Sequence, residues 1–562
     1  MEMRDGTVLR ADVYRPDDTR KLPAILIRTP YNKLLERGHF LNLIDATFAG
    51  YAVVAQDVRG RFASEGQWKA GGDLSTVEGP DGYDSVEWIA SQRWCDGNVG
   101  MQGLSYVAHL QWITAMENPP HLKAIAPGLG GMGGEGSGVA PLALWSEWTA
   151  IMAVDVADRL EKQGKDVSQM RQMINRALLN AEEVVNYLPL KDVPHFQFEG
   201  VKEIWNAQLR FTPDPELRNQ SSLAYPKVMV PCLHVSGWYD LFTFSTFHNF
   251  LSMREKGGSQ RAREGQHVLM GPWVHSRYLA DCVGDINFGP SARAAGAQTT
   301  EHHIAFFNKY LRGMDVNVPT IRYFVMGRNM WQEADTWPLP QSQWQRFFLH
   351  SQGCANTSGG DGLLNRNEPG SESPDIFVYN PYLPVLTTGG RVVPLGGVAA
   401  GPINQFHIEK RGDVLCYTTP ELEEDTEVTG SLELHLFAAT SARDTDFTAS
   451  LIDVYPDGRA YNVADGIIRA RYRKSIFEPE LVTPGDVNEY TISMGNTSQL
   501  FRKGHHIRID ISSSNFPGGD RNMNTGNPVG EDAQGIPAMQ TIYHQQGHAS
   551  YIDLPVIPVK PV

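Results

Sequence analysis

Short runs of consecutive apolar residues alternate with amphipathic stretches along the first 130 residues. AILIRT (24–29) and YAVVAQD (51–57) are continuous apolar runs, the pattern of strands buried on both faces of a sheet. TVLRADVYRP, ahead of them, reads as an amphipathic strand. YDSVEWIAS (83–91) and YVAHLQWITAME (106–117) read as helices, NVGMQGLS (98–105) and LKAIAP (122–127) as strands. This βαβα alternation predicts a mainly parallel, doubly wound α/β sheet.

The pattern changes after the glycine-rich PGLGGMGGEGSG, where a helical zone runs to about residue 220. Between Gln169 and Pro189 the residues Met170, Met173, Ile174, Ala177, Leu178, Ala181, Val184, Val185 and Leu188 recur at three- and four-residue steps, predicting one amphipathic helix. Strands return with KVMVPCLHVSG (227–237) and HVLMGPW (267–273), followed by a helix, TEHHIAFFNKYLRG, ending at Gly313. The helical zone is therefore an insertion in the α/β unit, placed where it could cover a site. Beyond about residue 335 the alternation is strictly two-residue: Leu432, Leu434 and Leu436 in SLELHLF, and Ile507, Ile509 and Ile511 in HHIRIDISSS. With Gly and Pro throughout, this predicts an antiparallel sandwich or jelly roll. The expected division is an α/β core at 1–140 and 223–335, a helical cap at 141–222 and a β jelly roll at 336–562.

Length and composition narrow the function. A chain of 562 residues, 41% hydrophobic and 20% charged, has the balance of a multidomain globular enzyme. A net charge of −15 argues against nucleic acid as a partner. No apolar run approaches the roughly 18 residues of a membrane span, and the first residues carry charges where a signal peptide would be apolar, so a cytoplasmic chain is expected. Cys95, Cys232, Cys282, Cys354 and Cys416 are odd in number and scattered, as expected of reduced, mostly buried thiols. The adjacent pairs His302–His303 and His505–His506 point apart in any regular element and make poor metal sites. Gly128-Leu129-Gly130-Gly131-Met132-Gly133 follows a strand, but more glycines and then tryptophans follow it, where a dinucleotide fold needs a helix. The acidic run Glu421 to Asp425 reads as a solvated turn. Neither metal nor cofactor is expected.

The candidate chemistry centres on Ser105. It stands after a strand and before a helix, where an α/β-hydrolase carries its nucleophile, and Gly103 keeps the first glycine of G-x-S-x-G. The second glycine is missing. Ala108 is expected to add only one methyl where the helix packs near the strand. Alone, Ser105 is as readily a helix cap. An α/β-hydrolase also needs an acid and then a histidine, each on a loop leaving a later strand. Asp240, in SGWYD, and His275, in GPWVH, stand at those places and in that order. The imidazole would take the serine proton and return it to the leaving group, while the aspartate would hold the tautomer.

At this point the chain resembles the cocaine esterase family, which includes X-Pro dipeptidyl peptidases, α-amino acid ester hydrolases and glutaryl-cephalosporin acylases. The matching segments are RTPYNK, AQDVRGRFASEG, RWCDGNVGMQGLSY, SGWYD, GPWVHS, RYFVMG, DTDFTASLIDVYPDG and SSSNFPGGDRN, spanning nearly the whole chain. The resemblance implies an α/β-hydrolase core, an inserted helical cap and a C-terminal jelly roll. It implies catalytic roles for Ser105, Asp240 and His275, with an oxyanion hole from the Tyr31 hydroxyl and the Tyr106 backbone N–H. It also implies substrate contacts from Gln56, Trp148 and Phe242, for which core packing is an equal alternative. The cap, Gly128 to about Leu223, diverges from the family pattern, which leaves substrate identity open.

The expected protein is a serine hydrolase acting on a small-molecule ester or amide with an apolar or aromatic acyl group; its oligomeric state stays open. An X-Pro dipeptidyl aminopeptidase would need cap carboxylates for the substrate ammonium, with Glu135, Glu147, Glu182 and Glu183 available. A carbohydrate-binding jelly roll with an inactive hydrolase domain is the rival from another class.

Overall fold

The computed structural model describes residues 1–558 apart from 18, 37–39, 69–76, 133–137, 210–223 and 276. Its α/β unit is a nine-stranded sheet in the order β1-β3-β2-β4-β5-β6-β7-β10-β11. The strands are β1 (Ala11–Tyr14), β2 (Leu22–Thr29), β3 (Ala52–Asp57), β4 (Cys95–Leu104), β5 (Leu122–Gly128), β6 (Cys232–Tyr239), β7 (Gln266–Val274), β10 (Ile321–Val325) and β11 (Met330–Ala334), with a small hairpin, β8 (Cys282–Val283) and β9 (Ile286–Asn287), apart from it. The pairings from β3 to β10 are parallel, and β1 and β11 close the edges antiparallel.

Every residue of β2 is buried, and its alternation serves two layers. Leu22, Ala24 and Leu26 share a core with Val86 and Ile89 of helix α2 (Glu78–Ala90) and Trp112 of α3 (Tyr106–Met116). Ile25 and Ile27 share the opposite core with Leu43 and Ala46 of α1 (Leu43–Phe48) and Phe306, Phe307 and Leu311 of Thr299–Arg312. The sheet is doubly wound, as its apolar runs predict. From β2 the chain steps to β3 on one side and then to β4 on the other. The carboxyl ends of β2 and β4 thus flank the point where the winding reverses, the place where open α/β sheets hold ligands.

Between β5 and β6 lie α4 (Leu142–Lys162), α5 (Ser168–Leu179), α6 (Glu182–Val185) and α7 (Lys202–Leu209). They share a core of Ala150, Ala153, Ile174, Val184, Phe196 and Trp205, among others. The single helix expected across Gln169–Pro189 is instead two. α5 ends at Asn180, whose backbone leaves the helical region (φ −142°, ψ 78°), so Leu178 and Leu179 are exposed while Val184 and Val185 return to the core. Helices α8 (Thr243–Lys256), α9 (Gln260–Glu264) and α10 (Thr299–Arg312, closed by left-handed Gly313) complete the α/β unit.

From Gln343 onward the described residues form a twelve-stranded sheet system, whose strand pairings are antiparallel except that of Leu363 with Thr418. The alternating Leu432, Leu434, Leu436 and Ile507, Ile509, Ile511 are all fully buried. Their core is continuous with Trp238, Phe247 and Met270 of the α/β unit. Cys95, Cys232 and Cys416 are buried, and Cys282 and Cys354 exposed, all unpaired. No described helix is long and apolar enough to cross a membrane.

Candidate active site

Ser105 sits in the turn between β4 and α3 with φ 59° and ψ −125°, a left-handed conformation that a non-glycine residue holds only where its surroundings impose it. Its N–H donates to the Gly128 carbonyl at 2.9 Å, and its carbonyl accepts from the Ala108 and His109 amides. Its side chain makes no capping bond to the helix it precedes, so the simple cap is not what this serine is. Gly103 has φ +137°, and a Cβ there would stand 2.2 Å from Val107 Cγ1. Val107, rather than Ala108, occupies the place of the motif's second glycine, and the missing side chain at 103 is what admits it. Ala108 is accommodated by Gly130, where a Cβ would lie 3.2 Å from the alanine methyl.

Asp240 and His275 leave the carboxyl ends of β6 and β7. Asp240 is fully buried; its Oδ2 accepts from His275 Nδ1 at 2.7 Å and its Oδ1 from the Phe242 amide at 2.6 Å. A proton held on Nδ1 by the carboxylate leaves Nε2 with its lone pair, and Nε2 takes no hydrogen bond from any described residue. His275 is buried rather than a surface loop residue, and the Phe242 ring lies 5.7 Å from its imidazole.

An aromatic enclosure stands beside Ser105. Tyr31 follows β2, on the other side of the winding reversal. Its hydroxyl lies within hydrogen-bonding reach of the Ser105 hydroxyl and accepts from Trp148 Nε1 at 3.0 Å. Removal from water pushes its pKa up to about 12, against the opposing hydrogen bonds from Trp148 and Ser105. Tyr106 packs edge-on to Tyr31 at 6.4 Å, and its phenol accepts from Trp68 Nε1 at 3.3 Å. Burial pushes that phenol far above its ordinary pKa. Because Tyr106 opens α3, its N–H belongs to the first turn, where amides lack an acceptor within the helix. Trp148 meets Trp68 and Trp145 at 6.2 and 5.7 Å. Leu144, Met152 and Ile204 of the insertion and Val393 and Leu395 of the β region pack on the same cluster. All three regions of the chain therefore contribute to the enclosure.

Gln56 does not join it. Its Oε1 accepts from Arg28 and Ser85, and its Nε2 donates to Ser85 and Met1, so its amide is spent beneath α2. Glu147 accepts the Gly396 N–H, Glu183 is held by Arg176 and His195, and Glu182 is exposed; Glu135 lies outside the described residues. His302 accepts from Arg322, while His303 bonds the Thr299 carbonyl. His505 bonds Asp453, and His506 the Thr419 carbonyl. Both pairs point apart. Gly133 also lies outside the described residues, and the next described helix after Gly128 begins at Leu142. Sequence reasoning passed over Trp68 and Arg61; the only signal was their place after AQDVRG, in the loop that leaves β3.

A sequence profile of the X-Pro dipeptidyl-peptidase (S15) family matches residues 5–277, and one of the X-Pro dipeptidyl-peptidase C-terminal non-catalytic domain matches residues 315–553. Over 575 aligned residues the chain is 37% identical to the cocaine esterase of Rhodococcus sp. (strain MB1 Bresler), covering 99% of this chain and 97% of that enzyme. An aminopeptidase from the marine sediment archaeon Thaumarchaeota archaeon superposes with a TM-score of 0.81 at 22% identity, covering 99% of this chain and 95% of the other. An α-amino acid ester hydrolase superposes with a TM-score of 0.79, at the same identity and coverage. At 22% identity these two likenesses speak for the fold.

Proposed function

The chain belongs to the X-Pro dipeptidyl-peptidase (S15) family and is a serine hydrolase, and on that premise we propose that Ser105 is the nucleophile of an esterase, with His275 as base and Asp240 as its orienting acid. Ser105 Oγ attacks the ester carbonyl while His275 Nε2 takes its proton. The negative charge on the carbonyl oxygen is met by the Tyr31 hydroxyl and the Tyr106 N–H, donors that act best on the transition state. Collapse breaks the ester C–O bond, the imidazolium returns its proton to the departing alkoxide, and water repeats the sequence on the acyl-enzyme. Trp148, Trp145 and Phe242 form an apolar wall for the acyl group, each Å² buried against them gaining about 25 cal/mol. Bulky apolar or aromatic acyl groups are therefore preferred over acetyl.

The observation that carries this reading is that a positive-φ Ser105 without a capping bond and the hydrogen-bonded Asp240–His275 pair all follow carboxyl ends of the parallel strands β4, β6 and β7. The engagement of Glu147 and Glu183 elsewhere, and the exposure of Glu182, favour an ester over an amino-terminal peptide. The test is one preparation assayed on p-nitrophenyl esters, X-Pro-p-nitroanilides and acyl-β-lactams, with fluorophosphonate labelling of Ser105. Hydrolysis of aromatic acyl esters with little anilide release is expected. Efficient release from free-amine X-Pro substrates, with none from their N-acetyl forms, would transfer the chain to the peptidases. Absence of labelling would leave the carbohydrate-binding reading.

A further inference from the structure

Arg61, in the loop after β3, is 1% exposed. Its Nε donates to the Pro30 carbonyl at 3.1 Å, and its Nη1 to the Met152 carbonyl at 3.1 Å. Its Nη1 lies 3.5 Å from Asp155 Oδ2, and its Cζ stands 4.9 Å over the Trp68 ring. Three of these partners, Pro30, Met152 and Trp68, each lead to one of the two tyrosines. Pro30 is the residue before Tyr31. Met152 is one helical turn beyond Trp148 on α4, and Trp148 donates to the Tyr31 oxygen. Trp68 donates to Tyr106. One planar guanidinium therefore joins the loop carrying Tyr31, the inserted helix carrying Trp148 and the indole that holds Tyr106.

Burying a guanidinium is costly unless it is well paired. Among the described residues its ion-pair partner is Asp155, and that carboxylate is shared, since it also accepts from the Phe62 amide and from Arg159. Burial lowers the Arg61 pKa to about 10, with Asp155 acting in the other direction, and the group stays cationic at neutral pH. An apolar side chain would fill this space without a buried charge, so packing alone does not account for an arginine. Its geometry does, because a fork of fixed angle sets the spacing between two carbonyls on different parts of the chain. The Trp148 N–H meanwhile occupies the Tyr31 oxygen from one side, which turns the phenolic proton away from the indole.

We propose that Arg61 is a positioning residue for the reaction: its guanidinium registers the Tyr31 loop against the Trp148 helix, and so keeps the phenolic O–H aimed at the developing oxyanion. This inference rests on the oxyanion role proposed for Tyr31. The test is a double-mutant cycle in the full chain, Arg61→Met against Tyr31→Phe, reading kcat and KM on a p-nitrophenyl ester. Arg61→Met should lower kcat by about 10- to 100-fold with KM nearly unchanged. In the Tyr31→Phe background the same substitution should cost less than about twofold further. Arg61→Lys should fall between wild type and Arg61→Met, since an ammonium keeps the charge without bridging both carbonyls. If Arg61→Met does not fold, Arg61→Lys carries the same cycle and the same expectation of non-additivity. Losses that multiply in full, an effect confined to KM, or no effect would overturn the role of Arg61 while leaving Tyr31 its own. No kcat loss in Tyr31→Phe alone would instead overturn the oxyanion reading, and this inference with it.

Discussion

Among the described buried histidines bonded to aspartates, His275 follows the carboxyl end of a strand in the α/β sheet and His544 lies inside the β region. His275 gives Nδ1 to Asp240 at 2.7 Å, while its Nε2 takes no hydrogen bond from any described residue. His544, on the strand Ala538–Gln545, has both nitrogens engaged, Nδ1 with Glu372 at 3.0 Å and Nε2 with Asp375 at 2.9 Å. A ring that donates from both nitrogens is an imidazolium, and one enclosed between two carboxylates has nothing left to exchange. The histidine–carboxylate bond does not by itself mark catalysis. His275 differs from His544 in keeping one nitrogen without a bond from a described residue and in following a strand parallel to the one that Ser105 follows.

The widest separation of the two regions is expected from removing the proposed nucleophile or the proposed base. Ser105→Ala and His275→Ala should each lower kcat by about 10⁴-fold or more with the fold retained, because no other group can form or activate the attacking oxygen. Residual activity above about a tenth of wild type on every substrate tried would dissolve the contrast. Tyr31→Phe comes next, with kcat down about 10²- to 10³-fold and a much smaller change in KM. A change confined to KM would make Tyr31 a ground-state contact.

The proposed mechanism gives Trp148 two functions, and substitution can separate them. Trp148→Phe keeps an aromatic wall but removes the N–H that holds Tyr31, so kcat should fall by about tenfold, one hydrogen bond's worth, equally on acetyl and aromatic acyl esters. Trp148→Ala should add the loss of the acyl preference. Acetyl-ester turnover left intact by both variants would assign Trp148 to substrate binding alone.

How much of this was legible in the sequence depends on how local each signal was. The buried strands wrote themselves as unbroken apolar runs, and the β region as two-residue alternation, because both patterns follow from burial within a single element. The positions of Ser105, Asp240 and His275 just past strand ends were legible because each apolar run stops close ahead of them. The break at Asn180 was not, since apolar spacing continues across a change in backbone direction. Tyr31 came only from family resemblance: its place beside Ser105 follows from β2 and β4 flanking the reversal of winding, a fact of strand order that no stretch of residues carries. Gln56 shows the reverse case, a polar residue for which packing and substrate contact stood equal in the sequence and whose amide is engaged by Arg28 and Ser85.

The smallest effect on turnover is expected in the β region, where His544 titrates for stability rather than chemistry. Burial alone would lower its pKa, but hydrogen bonds and charge from Asp375 and Glu372 outweigh that and hold it above the ordinary 6.5. Glu372 and Asp375 also resist the upward push of burial. His350 and His544 hold Glu372 below its ordinary 4.5, and His544, the Ala355 amide and Tyr417 hold Asp375 below its ordinary 3.8. A histidine with a raised folded pKa stabilises fully below its unfolded value and loses that contribution as pH rises through the folded one; the depressed carboxylates stabilise above their unfolded values and fail as pH falls. The cluster therefore contributes most between 4.5 and 6.5. His544→Gln, which leaves two buried carboxylates facing a neutral amide, should cost about 3–5 kcal/mol in that window. Urea unfolding of both proteins at about pH 5.5 and about pH 8.5 should show the difference shrinking at the higher pH, with kcat unchanged wherever the variant is folded. A stability difference identical at both values would mean that His544 is held neutral. A kcat loss in the folded variant would show that the two regions are coupled rather than divided between chemistry and support.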